Sequence, residues 1–123
     1  MKRQRVLIID DNDLSIQLAA FVLSQAAFEV SAAADAQAGL LLVPVFRPDL
    51  ILLDIRMSDM DGLKLAKILK PDATTHHIVV VAFTAYAMKC DEGKMRSAGC
   101  DGYIAKPIDI GSFAKLVGSY LPV

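Results

Sequence analysis

The sequence predicts an α/β domain built on a parallel sheet covered on both faces. Three observations carry this. The apolar runs VLII (Val6–Ile9), LILL (Leu50–Leu53) and IVVVAFT (Ile78–Thr84) lack polar alternation, so each reads as a strand buried on both sides. Segments with helical spacing separate these runs. At 123 residues, with 54 % apolar and 22 % charged side chains, the chain has the size and composition of one domain with a real core.

Each element has a local reason. After the first strand, helical spacing places Leu14, Leu18, Phe21 and Val22 on one face, with Asp13 as the expected N-cap. FEVSAAA (Phe28–Ala34) is a weaker strand, because alanine is a poor strand former. DAQAGLLLV returns to helix behind the cap residue Asp35, and Pro44 is expected to end or kink it. Pro48 breaks the chain before the strand that runs from Leu50 into Asp54. Asp61-Gly62 turns into a helix carrying Leu63, Ala66 and Leu69, which stops at Pro71. Ile78–Thr84 is the strongest strand, being rich in β-branched residues. A polar helix is expected over Met88–Ala98, stopped by Gly99. GYIA makes a brief fifth strand. Asp109 is expected to cap a last helix whose Ile110, Phe113, Val117 and Tyr120 share a face.

Charge and composition remove several function classes. The 13 basic and 14 acidic residues leave a net charge of -1, which offers no broad attraction to nucleic acid. Lys2, Arg3 and Arg5 read as a solvated terminus. The most apolar stretch, Leu40–Phe46, is too short to span a bilayer, and no apolar leader opens the chain. A cytoplasmic location is expected, with no membrane and no nucleic-acid partner. Cys90 and Cys100 have neither a C-x-x-C spacing nor a disulfide framework, so reduced thiols are expected. His76-His77 lacks zinc-ligand spacing and reads as polar loop.

The chemistry gathers at strand ends. In open parallel sheets, ligands bind outside the carboxyl ends of the strands. Asp10 and Asp11 follow the first strand, Asp54 ends the third, Thr84 the fourth, and Lys106 follows the fifth. An isolated acidic pair there is commonly a solvated helix cap; five such groups on one edge are a site. Three facing carboxylates repel unless a hard cation lies among them, and Mg²⁺ takes oxygen ligands while leaving positions for water and phosphate. A lysine and a hydroxyl complete a set suited to phosphoryl transfer, which needs positioning and charge neutralisation. A carboxylate can itself be the nucleophile. These residues alone leave open which aspartate is attacked.

The stretches VLIIDDN, RPDLILLDIRMSDMDG and VVVAFTAYAMKCDEGKMRSAGCDGYIAKPID are together very specific. Across essentially its whole length the chain resembles the CheY-like response-regulator receiver domains of two-component signalling. From Phe83 to Asp109 it looks like stand-alone receivers of the DivK type and receiver modules of hybrid histidine kinases. The resemblance implies one doubly wound, flavodoxin-like (βα)5 domain over residues 1–123, with strand order 2-1-3-4-5. It makes Asp54 the phosphoacceptor, Asp11 a direct Mg²⁺ ligand, Asp10 a ligand through water, and the backbone carbonyl of Arg56 a further ligand. Thr84 matches the switch hydroxyl and Lys106 the lysine that pairs with the phosphoryl group. Lys106-Pro107 matches the family's cis peptide, and Tyr103 the aromatic that turns inward on activation. Ser58, Cys90 and Pro44 depart from the usual pattern, and none belongs to the acid set; Ser58 bears on the stiffness of the loop after Asp54.

The function so implied is a single-domain response regulator. It takes a phosphoryl group from a sensor histidine kinase or histidine phosphotransferase onto Asp54 and thereby alters protein binding. It is expected to be no enzyme beyond its own phosphorylation and slow dephosphorylation. Arg56 and Tyr86, two residues past Asp54 and Thr84, are expected to slow hydrolysis by overhanging the phosphoryl group. The output partner is expected on the face of the fourth helix, fifth strand and fifth helix, with Tyr86, Met88, Met95 and Ile104 in it. A monomer without a fused output domain is expected. Two other classes compete. A phosphohydrolase of the haloacid dehalogenase type is mimicked by the D-x-D of DNDLS, but room for a cap domain and a later acidic cluster are missing. A degenerate receiver acting only as a scaffold is opposed by the intact acid set.

Overall fold

In the computed structural model, five parallel strands form one sheet in the order β2-β1-β3-β4-β5. They are β1 (Arg5–Ile9), β2 (Glu29–Ala33), β3 (Leu50–Leu53), β4 (Val79–Thr84) and β5 (Gly102–Ala105). Helices α1 (Asp13–Gln25), α2 (Ala36–Phe46) and α3 (Gly62–Leu69) lie between strands, and a C-terminal helix (Phe113–Ser119) follows β5. The structure describes residues 4–55, 62–84, 93, 96–106 and 108–121, with the backbone alone at 63 and 84. Most of the helix expected over 88–98 lies outside these residues; Gly93, Arg96 and Ser97 within it are helical.

The unbroken apolar strands follow from a core on each face. Leu7, Ile9, Ile51, Leu53, Val80 and Ala82 point toward Val43 of α2 and Leu65, Ala66 and Leu69 of α3. Their neighbours Val6, Ile8, Leu50, Leu52, Val81 and Phe83 point toward Ala19, Val22 and Leu23 of α1 and Phe113 and Val117 of the last helix. Side chains alternate faces along a strand, so a strand covered on both sides must be apolar at every position.

Several local expectations are corrected. Asn12, not Asp13, is the N-cap of α1: its side chain accepts from Ser15 N at 3.0 Å, and Asp13 becomes the first helical residue. The buried stripe of α1 is Ala19, Val22 and Leu23, whereas Leu14 and Phe21 are 77 % and 63 % exposed. Small Ala19 lets the helix approach the sheet, Val22 and Leu23 pack beside it, and Leu14 and Phe21 project outward. Pro44 does not end α2, which continues to Phe46 and closes on Arg47 in the left-handed conformation. Pro44 is exposed and faces away from Gly39 and Val43, which pack inward. Asp35 does cap α2, accepting from Ala38 N at 2.7 Å. Asp109 makes a turn ahead of the last helix, its carboxylate accepting from Gly111 N; Ser112 is the N-cap, and Ile110 is exposed.

Candidate functional site

Two hydrogen bonds carry the sheet one step past its strands. Asp10 N donates to Ala33 O at 3.1 Å, and Asp54 N donates to Ile9 O at 2.8 Å. Asp10 and Asp54 are thereby set in neighbouring rows at the carboxyl edge, 0 % and 6 % exposed, while Asp11 is exposed. One carboxylate oxygen from each of Asp10, Asp11 and Asp54 lies within 4.8 Å of the others.

A charge buried as deeply as Asp10 is costly unless it is paired and hydrogen-bonded. Both its oxygens are engaged. Asn12 N donates to Oδ1 at 2.9 Å, and Lys106 Nζ donates to Oδ2 at 2.6 Å. Lys106 arrives from the end of β5, whose Ala105 pairs in register with Thr84 at the end of β4. Its ammonium also lies 5.0 Å from the centroid of the Phe83 ring. Lys106 and Phe83 line a cavity of about 130 Å³ together with Leu14, Ser15, Leu18 and Ile108.

The sheet edge thus unites Asp10, Asp11, Asp54, the backbone of Thr84, and Lys106. Tyr103 stands on β5, 39 % exposed, and its carbonyl accepts from Tyr120 Oη at 3.4 Å. Arg56, Ser58, Tyr86, Met88, Cys90, Met95 and Pro107 lie outside the described residues, so the expectations placed on them, including the Arg56 carbonyl and the Lys106-Pro107 peptide, do too. Two neighbours carried no signal in the sequence. Phe83 reads there as one more strand residue. Gly62 reads as a turn, yet a Cβ on it would clash with the Asp54 carbonyl oxygen, so only glycine lets α3 start this close to the site.

The donor set suits a hard divalent cation. Its three carboxylates offer oxygen alone, two are buried, and their mutual repulsion is relieved by positive charge. The acidic pocket is compatible with Mg²⁺.

Fold and site together define a doubly wound α/β protein with an acidic pocket, faced by a lysine, at its carboxyl edge. The chain belongs to the response regulator receiver domain family, which matches residues 6–117. It is 40 % identical over 116 residues to the polar-differentiation response regulator DivK of Brucella anthropi, covering 94 % of each chain. The DivK of Brucella ovis is 39 % identical over the same coverage. Among solved structures, the Vibrio cholerae chemotaxis protein CheY4 superposes with a TM-score of 0.92 at 23 % identity, over 98 % of this chain and all of that one. A CheY-like receiver domain protein of Methanospirillum hungatei gives 0.87 at 26 % identity, over 96 % and 93 %.

The protein is therefore a response-regulator receiver of two-component signalling, a family that works with histidine kinases or phosphotransfer partners and is not generally enzymatic. Neither the phosphohydrolase nor the scaffold alternative is favoured. Among the described residues, no helix is long and apolar enough to cross a membrane.

Proposed function

We propose that the chain acts as one receiver unit over residues 1–123, with Asp54 accepting a phosphoryl group from a phosphohistidine donor. A carboxylate oxygen of Asp54 attacks phosphorus, the P–N bond to the donor imidazole breaks, and the imidazole leaves with the electron pair. The observation that carries this is the packing of the Asp10, Asp11 and Asp54 oxygens within 4.8 Å of one another, with Lys106 at 2.6 Å from Asp10. Asp10, Asp11, Asp54 and the Arg56 carbonyl would hold Mg²⁺, which when bound neutralises charge on the phosphoryl oxygens. Lys106 pairs with the phosphoryl group, and the Thr84 hydroxyl donates to it. The protein works as a cytoplasmic monomer.

The test is Mg²⁺-dependent labelling with acetyl phosphate, mapped by mass spectrometry. Label is expected on Asp54 and none on Asp54→Asn. Label on Asp10 or Asp11, or turnover of a phosphomonoester, would falsify this assignment.

The signal leaves through Thr84 and Tyr103. A phosphoryl group on Asp54 adds charge and acceptor oxygens. The Thr84 hydroxyl moves to them, and Tyr103, partly exposed on β5, turns into the space vacated. The face of the fourth helix, β5 and the C-terminal helix is thereby reshaped for an output protein. Shifting such a two-state element takes only a few kcal/mol of differential interaction. Thr84→Ala is expected to be labelled on Asp54 but to lose most phosphorylation-dependent partner capture; capture equal to the phosphorylated wild type refutes the coupling.

A further inference from the structure

We propose that Phe83 is a positioning residue for Lys106: its ring face holds the ammonium as the lysine moves between Asp10 and a phosphoryl group on Asp54. The inference rests on the phosphoacceptor reading of Asp54 and goes beyond it. Lysine carries a compact charge on a flexible stem, so its placement depends on what surrounds the ammonium. Two such contacts frame Lys106 Nζ: Asp10 Oδ2 at 2.6 Å and the Phe83 ring, 5.0 Å from the centroid.

The ring is the fixed partner. Phe83 is 1 % exposed and Phe113 0 %, and their rings pack with centroids 5.7 Å apart and planes inclined by 31°. Phe113 belongs to the C-terminal helix, so the ring beneath the ammonium is wedged between β4 and that helix. The π face attracts an ammonium within about 6 Å of its centroid and requires no single hydrogen-bond direction. Asp10 and Asp54 oxygens lie within 4.8 Å of each other, so a pivot of the ammonium from one to the other is a short movement.

The ion pair alone would act against that pivot. Asp10 is fully buried, and low dielectric strengthens its hold on the lysine. The ring adds an attraction that is present whichever oxygen holds the ammonium. Leucine or valine would keep this strand position apolar without supplying it.

The test uses the full chain with Mg²⁺, comparing Phe83→Leu, which removes the π face, with Phe83→Tyr, which keeps it. The Lys106 ε-methylene protons, lying by a ring face, should resonate upfield of the other lysines in wild type and Phe83→Tyr. In Phe83→Leu that shift should vanish, and acetyl-phosphate labelling of Asp54 should slow by about threefold to tenfold, the range a partly desolvated cation–π contact supports. Labelling of Phe83→Tyr should stay close to wild type, which a loss of core packing alone does not predict. If Phe83→Leu fails to fold, Phe83→Met takes its place. An ordinary Lys106 resonance in wild type, or wild-type labelling by the folded ring-less variant, overturns the role of Phe83. Wild type that takes no label at all overturns the phosphoacceptor reading, and the pivot with it.

Discussion

Asp10 and Lys106 stand 96 positions apart in the chain and 2.6 Å apart in the fold. Their side chains are 0 % and 16 % exposed, so the pair is largely shielded from screening by solvent. Removing one member of such a pair leaves an uncompensated buried charge. Lys106→Met is therefore expected to lower stability by about 3–5 kcal/mol, read as an earlier urea midpoint; an unaltered midpoint would show that the pair is not holding the edge together. Cys100 presents the opposite case, a thiol kept neutral. Burial, with a smaller contribution from the Asp101 charge, raises its pKa from 9.0 to about 11. Because the folded value lies above the unfolded one, the associated stability is whole below pH 9.0 and is lost as pH rises toward about 11. At pH 8 the thiol should be alkylated slowly in the native protein and rapidly in urea. Mass mapping of the Cys100 peptide checks this, and equal rates in the two states would contradict its burial.

Helix α2 keeps a proline where a helix interior does not favour one. Pro44 offers no N–H to Leu40 and crowds that turn, yet burial of Ala36, Gly39 and Val43 holds the helix to Phe46. Because Pro44 is exposed, its ring contributes little packing that alanine would forfeit. Pro44→Ala is expected to stabilise the protein by about 1–3 kcal/mol, visible as a later urea midpoint; a loss of stability would mean the turn depends on the ring. At the other end of the sheet, Lys70 joins α3 to two strands. Its Nζ donates to Ile78 O at 3.0 Å and to Asp101 Oδ2 at 2.8 Å, while Asp101 Oδ2 also accepts from Val80 N. Gly99, at φ +103, passes so close to the Lys70 stem that a Cβ would lie 2.6 Å from it.

Across the whole molecule, one sheet edge is held by such polar ties while the other gathers like charges. Like charges crowded at Asp10, Asp11 and Asp54 repel one another, and a bound cation would relieve that repulsion. Mg²⁺ at ten times its Kd should stabilise the folded protein by about 1.4 kcal/mol, raising the thermal midpoint. Asp11→Ala should lose most of this gain. Because Asp11 is exposed, that substitution should leave the metal-free protein as stable as wild type or more so. Equal Mg²⁺ stabilisation of both proteins would remove Asp11 from the metal site.

The apolar runs at Val6–Ile9, Leu50–Leu53 and Val79–Phe83 were legible because a strand buried on both faces must be apolar at every position. The placing of Asp10, Asp11, Asp54, Thr84 and Lys106 on one edge was legible because parallel strands all end on the same side. The covered face of α1 was not. Leu14, Leu18 and Phe21 satisfy helical spacing as well as the stripe that is buried, and only the sheet beneath decides which stripe turns inward. Gly62 likewise reads as a turn until α3 is seen against the Asp54 carbonyl. What the sequence determined by itself was the order of elements and the identity of the acidic edge, since both follow from local pattern and chain direction. What only the tertiary structure decided was which groups touch: Lys106 against Asp10 and the Phe83 ring, Gly62 against Asp54. Those contacts depend on distances between segments far apart in the chain, which no local pattern encodes.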